Sequence, residues 1–124
     1  MRAYAFGRPK PPEGRTLFWW ESPTGTRVLA VSYAAGWYGC ERDEVPSRLD
    51  AYLAAAASIP VSHVFVPFGL GNHGGGPTRR HLEEAAAWAR RHPAVEVRHS
   101  TLHGYFAAVE RELRERRVEL PVLR

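Results

Sequence analysis

The chain has 124 residues, 44% of them hydrophobic and 24% charged, with a formal net charge of +4. That length allows one domain with a core of its own, and one cysteine, Cys40, excludes an internal disulfide framework and any multi-cysteine zinc site. The excess of arginine sits in "RRHLEEAAAWARRHP" and "ERELRERR", where Glu recurs at helical spacings, so it reads as solvated helix faces and not as a nucleic-acid surface.

Residues 1–15 carry three prolines and two glycines among scattered charges and read as an extended lead-in. "TLFWWES" and "RVLAVSY" are β-branched and aromatic runs joined by "PTGT", which predicts a hairpin. Trp19 and Trp20 are neighbours on one strand and therefore point to opposite faces. A long connection, "AAGWYGCERDEVP", leads to "SRLDAYLAAAAS", a helix with Ser47 as N-cap that ends before Pro60. "VSHVFVPF" is nearly continuous apolar sequence, the mark of a strand covered on both faces. It ends at a loop holding Gly71, Gly74, Gly75 and Gly76 around Asn72 and His73.

Thr78 caps a second helix that runs to about Arg91, where Pro93 forbids continuation. "AVEVRHS" reads as another short strand. Ser100 or Thr101 then caps "LHGYFAAVERELRERR", whose Leu102, Phe106, Val109 and Leu113 share one face, and "VELPVLR" closes the chain as a strand. Alternating strands and helices after a hairpin predict an α/β layer with parallel strands and crossover helices. Ligands of such sheets gather at the carboxyl ends of strands, where the glycine loop lies.

Gly69, Gly71 and Gly74 also fit the G-x-G-x-x-G spacing of dinucleotide sites. Gly75, Gly76 and Pro77 separate them from the helix, however, and no Lys follows as a phosphate-binding P-loop requires. Glycine in this number serves either a sharp structural turn or the close approach of a ligand to the main chain.

The segment "FGLGNHGGGPTRRHLEEA" resembles the Gly-Asp-His-Gly-Gly-Gly-Pro-Thr segment of α-mannosidases of glycoside hydrolase family 38, bacterial members above all. "LFWWESPTGTRVLAVSY" is similar to the family's aromatic strand, turn and second strand before a Tyr-Gly-rich loop, and "AVEVRHSTLHGYFAAVE" and "LPVLR" to the elements after the glycine loop. The resemblance covers residues 16–124 and is strongest over Gly71–Thr78. It implies part of a seven-stranded β/α-barrel catalytic domain that hydrolyses α-mannosidic bonds with retention, using a carboxylate pair about 5 Å apart and zinc or another divalent metal.

The resemblance further implies sugar contacts from Gly71, Asn72, His73 and Gly74. Asn72 stands where many members carry Asp, and an amide bonds hydroxyls but transfers no proton at neutral pH. None of the six histidines begins a His-x-Asp pair, and of the two aspartates Asp50 reads as a solvated carboxylate and Asp43 as part of a charge cluster. No catalytic or metal-binding residue is therefore assigned. The chain is expected to be a piece of the enzyme, inactive alone and in need of a second chain to complete the barrel. It is expected in the cytoplasm, without nucleic-acid or membrane partners. The alternative is a free-standing module that binds a nucleotide or sugar with the Gly69–Gly76 loop.

Overall fold

The computed structural model describes residues 16–35, 38–41, 43–71 and 74–124, and the main chain alone of residues 3–6. Four strands, β1 (Ala3–Phe6), β2 (Leu17–Glu21), β3 (Arg27–Ser32) and β4 (Val122–Leu123), form one sheet in the order β1-β3-β2-β4. The helices are α1 (Val45–Ala56), α2 (Arg79–Arg91) and α3 (Leu102–Arg116). None among the described residues is long and apolar enough to cross a membrane.

The expected hairpin is the centre of the sheet. β2 and β3 run antiparallel with Leu17 opposite Val31 and Glu21 opposite Arg27, and the turn between them holds Gly25 at φ +83°, a torsion glycine adopts without a Cβ penalty. β1, in the stretch read as a lead-in, lies parallel to β3 with Ala3 opposite Leu29. β4 lies parallel to β2 with Trp19 opposite Val122. The sheet is thus mixed, and the expected layer of parallel strands is corrected to this extent.

The two apolar runs read as parallel strands, residues 61–68 and 94–100, belong to no ladder among the described residues. β-branched sequence favours extended backbone, but a strand exists only where a neighbour takes its N–H and C=O groups. The two segments still come together at their carboxyl ends, where the rings of Phe68 and His99 lie 5.6 Å apart. A mixed α/β unit of one four-stranded sheet and three helices is what the described residues form.

One face of the sheet carries the core. Leu17, Leu29 and Val31 meet Tyr105, Phe106, Val109 and Leu113 of α3, with Val61 and Leu120 closing the ends. Leu29 and Val109 are fully buried, and each such side chain contributes about 1.5–3 kcal/mol by leaving water. Trp19 packs against this core while Trp20 is half-exposed on the other face, as their adjacency requires. The stripe of α3 is shifted from the expected one: Tyr105 and Glu112 are buried and Leu102 is exposed. Glu21 fastens the sheet edge by accepting from Arg27 at 2.5 Å and Arg124 at 2.6 Å.

A smaller cluster joins Cys40, Val45 and Ala85, with Leu49 and Phe68 against it. It sits between α1, α2 and the loop that follows β3. α1 starts earlier than expected, with Glu44 at the N-cap position and a proline in its first turn. Ser47 is not the cap; its hydroxyl donates to the Glu44 carbonyl at 3.0 Å from inside the helix. Asp50 is likewise more than a solvated carboxylate, because its Oδ1 accepts from the buried Trp88 indole at 2.7 Å and so straps α1 to α2.

Candidate functional site

The glycine loop leaves residues 61–68 at the end where Phe68 and His99 meet and returns to α2. It closes on itself, with the Leu70 N–H donating to the Gly76 carbonyl at 2.9 Å, and it is tied to the preceding loop by the Cys40 N–H donating to the Gly69 carbonyl at 2.8 Å. Two glycines follow from that closure. A Cβ on Gly69, at φ +112°, would stand 2.9 Å from main-chain atoms of Gly76 and Pro77, and one on Gly75 would stand 2.1 Å from the Leu70 carbonyl oxygen. No side chain fits either position.

Gly71 packs against the preceding loop: a Cβ there would lie 3.0 Å from the Gly39 Cα and 3.1 Å from the Tyr38 ring. Gly74, at φ +129°, and Gly76 face open space, with nothing within 4 Å of an added Cβ. The glycines therefore divide into those that fold the loop and those that leave its rim bare. Tyr38, Phe68 and residues 69–71 and 74–76 line a shallow depression of about 310 Å³ at this rim. Of the expected contact residues, Gly71 and Gly74 line it, while Asn72 and His73 lie outside the described residues.

His81 holds the far side of the loop and was not singled out by sequence. Thr78 accepts from the His81 N–H at 3.2 Å while the Thr78 N–H donates to His81 Nδ1 at 3.0 Å, a reciprocal cap with histidine in the place usual for Glu or Gln. Because Nδ1 accepts, Nε2 carries the proton and donates to the Glu41 carbonyl at 3.0 Å. The ring is wholly buried. The signal available in sequence was the spacing Thr78 to His81, three residues apart. This cap occupies the amides of Thr78 and His81, which a dinucleotide site of the G-x-G-x-x-G type would turn toward a pyrophosphate.

Other titratable groups among the described residues are similarly committed. Cys40 is buried, and burial pushes its thiol above the ordinary range, so it is not poised as a nucleophile. His92 stacks on Trp88 at 3.8 Å with Nδ1 on the Trp88 carbonyl. His63 is held by Glu112 at 2.7 Å. Among the described residues no three His, Cys, Asp or Glu side chains converge where they could hold a metal ion.

The model of the glycosyl hydrolases family 38 N-terminal domain matches residues 5–122. The chain belongs to glycosyl hydrolase family 38. Its fold is similar to that of an α-mannosidase from Enterococcus faecalis V583, with a TM-score of 0.59 and 25% identity over 98% of this chain. The chain spans 14% of the length of that enzyme. Among curated proteins there is no match. The glycine loop falls within the matched residues.

Proposed function

We propose that the chain is part of the catalytic domain of a retaining, metal-dependent α-mannosidase, in which the loop from Gly69 to Gly76 presents bare main chain to a mannose ring. The observation that carries this reading is the family match over residues 5–122, together with a loop whose outer glycines face open space. Family 38 chemistry uses one carboxylate to attack the sugar and a second as acid and then base. Neither aspartate of this chain is placed for that work: Asp50 straps Trp88, and Asp43 adjoins α1. The nucleophile, the acid and the metal ligands are assigned in this proposal to polypeptide outside these 124 residues, because the sequence carries no His-x-Asp pair and no aspartate that matches the family's nucleophile segment.

In this reading Gly74 and Gly76 leave room for the ring, Gly71 borders it, and Asn72 and His73 bond its hydroxyls. A second chain or a further length of polypeptide pairs with residues 61–68 and 94–100, whose apolar sequence lacks a ladder among the described residues. Such edges recruit neighbours readily. The single, buried Cys40 suits a cytoplasmic location.

The test is release of nitrophenol from a nitrophenyl α-mannoside. The chain alone is expected to give none with or without added zinc, and turnover is expected to appear when the remaining domain is supplied as a second polypeptide. Zinc-dependent turnover by the homogeneous chain alone would overturn the assignment of the catalytic groups. Failure of any complemented mixture to cleave the mannoside, with cleavage of another glycoside, would overturn the substrate.

A further inference from the structure

The segment that delivers the glycine loop, residues 62–71, has no ladder among the described residues to fix its register. In extended backbone a slip of one residue turns every side chain to the opposite face. Ring contacts hold the segment along its length, Phe65 with Tyr105 at 5.5 Å and with Tyr33 at 6.3 Å, and Phe68 with His81 at 6.5 Å. Tilted and edge-on rings at such distances tolerate sliding. Hydrogen bonds do not, because they weaken steeply with length and angle.

Ahead of the loop's own bonds at Gly69 and Leu70, the hydrogen bonds described for the segment gather at its start, on one carboxylate. Glu112, buried on α3, accepts from the Ser62 N–H at 2.8 Å, the Ser62 hydroxyl at 2.9 Å and His63 Nδ1 at 2.7 Å. Arg116, one turn on, donates to the same carboxylate. One of the four donors is main chain, so the carboxylate fixes the backbone itself and not only a side chain. A buried carboxylate satisfied in this way resists displacement, since each lost partner leaves charge unpaired out of water.

We infer that Glu112 is a positioning residue for the glycine loop: it sets the register of residues 62–71 so that the Gly69 carbonyl meets the Cys40 N–H and the Leu70 N–H meets the Gly76 carbonyl. The consequence for sugar contact rests on the function proposed above; the register itself does not. Gln in place of Glu112 keeps the shape but replaces one oxygen with an NH₂ and removes the charge, so the Ser62 hydroxyl and His63 Nδ1 must reverse from donors to acceptors and the charge-assisted bonds, that from Arg116 included, are weakened.

The experiment is amide hydrogen exchange on the full chain and on E112Q, comparing the Cys40 and Leu70 amides with the Trp19 amide, which donates to Pro121 at 2.8 Å in the sheet. Exchange at Cys40 and Leu70 is expected to rise about tenfold or more in E112Q while Trp19 changes little, the pattern of a local opening. Equal acceleration at all three, or none at Cys40 and Leu70, overturns the inference. If E112Q does not fold, S62A, which keeps the main-chain donor, should show the same pattern at smaller amplitude, and its absence counts equally against the proposal. Failure of the complemented mixture to cleave the mannoside while the exchange pattern holds would instead sink the mannosidase reading and leave the register role standing.

Discussion

The sheet-and-α3 half and the loop–α1–α2 half of the molecule are held together by different means. The first has paired strands and a dry core around Leu29 and Val109. The second has a small cluster at Cys40 and single polar contacts, Asp50 to Trp88, His81 to Glu41, and Cys40 to Gly69. Cooperative packing spreads a local loss over many neighbours, whereas a single bond is lost outright when one partner goes. The glycine loop, the candidate sugar contact, belongs to the half that is easier to disturb.

The largest effect is expected from breaking the sturdier half. Leu29→Ala removes a fully buried side chain and should cost about 2–5 kcal/mol, read as a lower denaturation midpoint for the whole chain. Gly75→Ala forces a Cβ to within 2.1 Å of the Leu70 carbonyl oxygen, and about 1–3 kcal/mol of strain should follow. That cost should register as faster exchange at the Leu70 amide with the β2–β3 amides unmoved. If both variants lower protection uniformly, the two halves are one cooperative unit and the contrast between them fails.

Asp50→Ala should cost about 1 kcal/mol, because the Trp88 indole loses its acceptor at a site where the aspartate itself was exposed. Faster exchange of the Trp88 indole N–H, with the β2–β3 amides unmoved, is the specific readout. The finest probe is pH. Burial pushes the Glu112 carboxyl up, but bonds from the Ser62 N–H, His63, the Ser62 hydroxyl and Arg116 outweigh it and hold the group at about 2, below its ordinary 4.5. A depressed folded value means that this stabilisation is complete above pH 4.5 and fades as pH falls toward 2. The stability difference between the natural chain and E112Q should therefore shrink over that interval, and a difference independent of pH would contradict the assignment.

Sequence made the hairpin and all three helices legible because turns and caps are local chemistry. Gly25 marks the turn, and Thr78 and Thr101 each accept from the amide three residues on. The family too was legible, in a glycine-rich segment whose pattern is unusual in any other setting. What escaped depends on distant partners. β1 is four residues whose only reason to be a strand is β3 beside it. Residues 61–68 and 94–100 have strand composition, yet composition supplies no neighbour. Glu112 looked like one more charge of the "ERELRERR" face, although its spacing of three from Val109 put it on the buried stripe. Asp50 and Trp88 sit 38 residues apart and carry no mutual signal in sequence.

The position of the hairpin has a consequence for how the chain is made. As a ribosome releases it, β2 and β3 can pair at once, but Arg124 reaches Glu21 across 103 residues. The edge of the sheet beside β2 must stay open while all three helices emerge. Closing so long a loop is slow relative to forming local contacts, so nascent chains pass through a stage in which the hairpin presents one bare flank. Growth temperature and the supply of chaperones should then govern yield more strongly than the final stability does.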